Sequence, residues 1–140
     1  MSPQVLQRAS APTSMAAVEL LVRSDDGLRA ARAADDAGER YVAAHLAALR
    51  AAAAVLAVRG RPRRGSGALN VWEVLPRVAP ELAEWAVFFA SGARRRAAIE
   101  AGMDNVVTTR EADDLLRDAG IFAEVVADQL GVLPHVAHSA

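Results

Sequence analysis

An all-α fold, an up-and-down bundle of four main helices plus a short extra helix, is predicted by three features of this sequence. Ala supplies 33 of the 140 residues and Val is the only β-branched residue in quantity, a composition that favours helix over strand. Apolar residues recur at spacings of three and four over long segments. Gly and Pro gather mostly between those segments. The length suits one domain, assigned to residues 13–131, with an arm at 1–12 and a tail at 132–140 expected to be mobile.

Thr13 or Ser14 can cap a first helix running to about Ala34, with Met15, Val18, Leu21, Val22 and Leu28 as its buried side. Asp25, Asp26 and Gly27 are expected to bend or split it. The turn Asp35 to Gly38 is short, so the first two helices should pack as an antiparallel hairpin. The second helix, Glu39 to Arg59, carries one stripe of Val42, Leu46, Leu49, Ala53 and Leu56 and a second of Tyr41, His45, Ala48, Ala52 and Val55. A helix apolar on two adjacent stripes needs at least two partners, so it should be central. Ala51 to Ala54 leaves its backbone nearly bare for close approach.

Residues 60–69, rich in Gly, Pro and Arg, form the clearest loop. Asn70 can cap a short segment, VWEVLP, which Pro76 and Pro80 break; Pro80 suits the first turn of the next helix. That helix, Glu81 to Ala90, offers Leu82, Trp85, Phe88 and Phe89 for packing. Phe88 and Phe89 point about 100° apart on a helix, so one of them is expected at an interface. After Ser91 and Gly92 the segment ARRRAAIEAG either continues the helix or starts another, with Gly102 as the stop. Thr108 and Glu111 have capping-box spacing before the last helix, and Val107 can staple over Ala112. Ala112, Leu115, Ala119, Phe122, Val126 and Leu130 then recur to the terminating Gly131.

The absence of Cys excludes disulfides, thiolate metal sites and a Cys nucleophile. A net charge of −1 provides no global field towards nucleic acid or membrane. No apolar run is expected to span a bilayer, and the N-terminus lacks a signal-peptide core, so a cytoplasmic protein with no membrane partner is expected. All 16 basic residues are Arg, most simply a matter of GC-rich codon usage. Glu111, Asp114 and Asp118 share a helix face beside Asp113, but acidic residues suit a helix start and Arg110 and Arg117 can pair with them. No metal and no cofactor are expected. His135 and His138 fall in the tail, and no Ser-His-Asp set, phosphate loop or zinc motif occurs.

Three runs, RYVAAHLAALRAAAAVLAVRGRPRR, VWEVLPRVAPELAEWAVFFASGARRRAAIEAG and TTREADDLLRDAGIFAEVVADQLG, resemble HEPN-domain proteins, the nucleotide-binding helical bundles of higher eukaryotes and prokaryotes, in a small stand-alone bacterial branch. The resemblance covers roughly residues 14–131 and rests on helix order and on the phrases WEVLP, ELAEW and READDLL. It implies a helical bundle, commonly a homodimer. Active members are similar in using an Arg, four to six residues and a His as a metal-independent ribonuclease motif across a dimer cleft. Inactive members bind RNA, nucleotides or partner proteins.

Arg40 and His45 have that spacing, although active members carry the motif in later helices with a polar residue after the Arg, where this chain has Tyr41. On a regular helix five residues turn about 500°, which leaves the two side chains some 140° apart. A neutral His could take the 2′-hydroxyl proton while an Arg fork holds the phosphate. The structural alternative has His45 packed beside Tyr41 with its polar edge hydrogen-bonded, and Arg40 capping the turn with Asp36. Arg59, Arg61, Arg63 and Arg64 around the loop, with Arg94, Arg95 and Arg96, could form one phosphate-binding face. The leading expectation is a domain that binds RNA, nucleotide or a protein partner without an intact catalytic site. An endoribonuclease using Arg40 and His45 is the second reading, and a structural adaptor the third. Converging arginines would favour the first two; scattered arginines paired with carboxylates would favour the adaptor.

Overall fold

The structure is a computed structural model that describes the backbone of residues 3–60 and 70–132 and the side chains of 15–60 and 70–132. The described residues form five α-helices: α1 (Pro3–Ala33), α2 (Ala37–Arg59), α3 (Val71–Val78), α4 (Ala83–Glu100) and α5 (Thr109–Gln129), with a 3-10 turn at Pro80–Leu82. α2 packs against all four other helices, most widely against α1 and α5, as expected of a central helix.

The sequence signals at helix starts hold where they are local. Asp36 accepts a hydrogen bond from Glu39 N–H (2.9 Å) and Asn70 one from Glu73 N–H (3.0 Å). Thr108 and Glu111 form the full capping box, with Glu111 N–H donating to Thr108 Oγ1 and Thr108 N–H to Glu111 Oε1. Each such cap is worth about 1 kcal/mol. Gly131 ends the last helix region with φ 72°, a left-handed conformation that Gly adopts without a Cβ clash.

Other boundaries differ from expectation. α1 starts at Pro3, so Thr13 and Ser14 lie within it rather than capping it. It also runs unbroken through Asp25, Asp26 and Gly27. Gly27 is needed for packing: a Cβ there would lie 3.2 Å from Ala47 Cβ. α3 continues past Pro76 to Val78, and α4 continues through Ser91 and Gly92.

α1 and α2, joined across three residues, are antiparallel: Ser24 Oγ donates to Ala47 O (2.7 Å), while Arg40, earlier on α2, reaches Ala31 O, later on α1. The seam uses Ala17, Leu21, Leu28 and Ala31 against Ala44, Ala47, Ala51 and Ala54, all buried. Met15 and Val22, expected inside, are exposed, because the covered face of α1 runs through Ala17, Leu21, Ser24, Leu28 and Ala31.

On α2 the stripe containing Tyr41, His45, Ala48, Ala52 and Val55 is fully buried. The stripe of Val42, Leu46, Leu49 and Ala53 is only half-buried, and just Leu56 among its expected members reaches the core. The largest aliphatic side chains of the central helix therefore face its least covered side.

The bulky part of the core is aromatic. Phe89 and Phe122 are fully buried with ring centroids 5.1 Å apart, and Trp72 lies 5.1 Å from Phe89 and 6.1 Å from Phe122. Trp85 closes the cluster 5.4 Å from Phe122. Phe88, adjacent to Phe89, is 41% exposed, so the two Phe divide between surface and core as their angular separation requires.

α2 is long and apolar enough to span a bilayer by length and composition, with mean hydropathy 1.7 over an 18-residue window. That corrects the expectation that no run approaches this length. Since 56% of the window is buried inside the bundle, its apolarity is that of a core helix.

Candidate functional site

His45 sits in the middle of the bundle with no exposed surface. One face stacks on Tyr41 at 6.4 Å and 10°, and its edges meet Trp72 (5.9 Å) and Phe89 (6.1 Å). Nε2 lies 2.8 Å from Phe89 O. A carbonyl only accepts, so Nε2 carries the proton and Nδ1 keeps its lone pair. Arg96 Nη1 donates to that lone pair at 3.2 Å. Both ring nitrogens are thus committed, and the imidazole is neutral. Burial lowers its pKa below the ordinary value of 6.5, and the Arg96 charge adds to this against the opposing pull of Phe89 O.

The pocket that holds this ring depends on Gly92. A Cβ at Gly92 would lie 2.7 Å from Tyr41 Oη and 3.4 Å from His45 Cδ2, closer to the hydroxyl than nonbonded atoms pack. The residue that read as a helix interruption is instead the gap into which Tyr41 and His45 fit. Burial raises the Tyr41 pKa, opposed by the nearby Arg95 charge.

Arg40 points elsewhere. Its Nε and Nη2 donate to Ala31 O (3.0 Å) and Ala34 O (2.5 Å), two carbonyls at the end of α1, and Nη1 pairs with Asp113 Oδ1 at 2.6 Å. It closes the first helix, as a capping residue should, but its acidic partner is Asp113 on α5 rather than Asp36. Arg40 and His45 therefore address different neighbours, and within one chain the structure does not bring them to a common substrate position.

The arginines separate too. Arg59 pairs with Glu81 (2.6 Å) in the 3-10 turn before α4 and reaches Val78 O (3.3 Å) at the end of α3. Arg95 pairs with Glu111 (2.8 Å) and Arg96 with Glu100 (3.4 Å) on the last two turns of α4, roughly 20 Å away along the axis. Arg94 is exposed and has no acidic partner among the described residues. Arg61, Arg63 and Arg64 lie outside the described residues, as do His135 and His138.

The acidic row on α5 is occupied by its own chain. Glu111 takes Thr108 N–H and Arg95, which together hold its carboxyl below the usual range, and Arg117 bridges Asp114 (3.5 Å) and Asp118 (3.4 Å). The roles of Arg96 and Gly92 were missed from sequence. Arg96 lies 51 residues from His45, so no local spacing could signal their pairing.

The helix order and the central α2 define an all-α helical bundle. The HEPN_SAV_6107-like HEPN family matches residues 31–127, well over half of the chain, and the protein belongs to that family. No curated protein and no solved structure matches the chain.

Proposed function

We propose that this domain is a non-catalytic HEPN-like binding module whose ligand is a protein partner rather than RNA or a nucleotide. The observation that carries the reading is the state of His45: fully buried, neutral and bonded at both ring nitrogens. A general base must come within hydrogen-bond reach of the proton it removes, and His45 offers no free nitrogen and no surface. The arginine arrangement supports the choice of ligand. Among the described residues, Arg59, Arg95 and Arg96 are paired with carboxylates at two separated places, which favours an adaptor that contacts protein over one phosphate-binding groove.

The test is incubation of a labelled single-stranded RNA with purified protein in EDTA, with His45→Ala and Arg40→Ala alongside. Wild type and both variants are expected to leave the RNA intact. EDTA-resistant cleavage by wild type that disappears in both variants overturns the reading and establishes a ribonuclease.

A further inference from the structure

A cleft of about 890 Å³ lies where the α1–α2 turn meets the connection from α4 to α5. Its floor is apolar and comes from three parts of the chain: Val42 and Leu46 of α2, Ile99 of α4, and Val107 just before α5. Val42 and Leu46 belong to the half-covered stripe of α2, so this floor is apolar surface that the bundle leaves unfinished. Met103 stands at the edge, 61% exposed.

The rim is acidic. Asp35 comes from the turn, Glu39 from the first turn of α2 and Asp104 from the α4–α5 connection, and all three are exposed. None of the described residues lining the cleft is basic. None of these three carboxylates has a basic partner among the described residues, unlike Asp113 and Glu111 on the neighbouring first turns of α5. The helix starts that open here are closed internally, by Asp36 on Glu39 N–H and by Thr108 on Glu111 N–H. An anion would therefore meet negative charge and find these caps already filled.

We infer that this cleft docks an amphipathic segment of a protein partner in which Arg or Lys flanks apolar side chains. The inference rests on the binding-module reading and names its ligand chemistry. A phosphate ligand is repelled by the rim. A small cation would leave the floor bare, and a purely apolar peptide would desolvate carboxylates without compensating them. A basic amphipathic segment matches both features, with apolar anchors in the groove and charge complementarity around it.

The experiment is fluorescence anisotropy on the full chain with a labelled Arg/Leu peptide of about 12 residues, some three helical turns. The same peptide with Glu for Arg, and a labelled single-stranded RNA oligonucleotide, are run in parallel. The Arg/Leu peptide should bind saturably, and the other two should not. The triple variant D35N/E39Q/D104N should weaken binding about tenfold, since each lost contact is an exposed ion pair. Met103→Ser should weaken it as well. A control variant with the same charge change on other exposed positions, E19Q/E124Q/D128N, should bind like wild type.

Equal weakening by both triple variants would reduce the effect to general attraction and overturn the site. So would saturable binding of the Glu peptide, or no binding of the Arg/Leu peptide. Failure here together with inert RNA cleavage removes the cleft alone. EDTA-resistant cleavage removes the binding-module reading whatever the peptide does.

Discussion

Two sides of α2 solve the packing problem in opposite ways. Against α1 the α2 side of the interface is made of alanines, and Gly27 of α1 comes close enough to Ala47 that a Cβ would stand 3.2 Å away. Around His45 the space is filled by large rings from α3, α4 and α5, with centroids 5.1–6.1 Å apart. The first side gains by bringing backbones together and has little side chain to lose. The second gains by burying large apolar area, about 1.5–3 kcal/mol for each fully buried Phe-sized side chain. The alanine seam should thus be hurt by added atoms, and the aromatic cluster by removed ones.

The largest expected effect is on the aromatic side. Phe122→Ala, which empties the contact among Phe89, Trp72 and Trp85, should cost about 3–5 kcal/mol, read as a shift in urea midpoint at unchanged slope. The converse, Ala47→Leu, should destabilise by about 1–3 kcal/mol by overpacking the seam, although it increases apolar volume. If Ala47→Leu were neutral or stabilising, the seam would contain slack and the contrast would fail.

The smallest effect concerns the imidazole inside the cluster. Burial and Arg96 depress the His45 pKa in the folded state, while the unfolded chain titrates near 6.5. Below about pH 6.5 the unfolded chain therefore binds the extra proton first, and stability should fall as pH drops through that value. The urea midpoint measured between pH 8 and 5 should decline in wild type. His45→Gln replaces the imidazole with an amide that offers a donor and an acceptor but cannot titrate there, so its decline should be shallower. Parallel slopes would place the acid sensitivity elsewhere.

The sequence made the helices legible where the signal is local. The capping box at Thr108 and Glu111, the cap at Asn70 and the stripe from Ala112 to Val126 all follow from neighbours within one or two turns. The stacking of His45 on Tyr41 was legible for the same reason, since residues four apart share a helix face. Local patterning left open how fully each face is covered. Both stripes of α2 read as apolar faces in need of partners, yet Val42 and Leu46 stay half-covered, while Ala44, Ala47 and Ala51 are buried because small residues let α1 come closest. α1 was misjudged: Ser24 and two alanines blur the periodicity of its true inner face, while Met15 and Val22 advertise an outer one. At the site, Arg40 and His45 were found by spacing, but their partners Asp113, Phe89 and Arg96 lie 73, 44 and 51 residues away.

The apolarity of α2 also has a consequence for synthesis. Its first partner, α1, is made before it, but its other wide partner, α5, ends at Gln129, some 70 residues after Arg59. At roughly 5–20 residues per second, α2 waits about 4–14 s for α5, with only α3 and α4 arriving in between to cover part of its second apolar side. During that interval the nascent chain displays a helix with membrane-like hydropathy. The early hairpin with α1 then acts as a temporary shelter on the ribosome, covering one flank until translation delivers the rest.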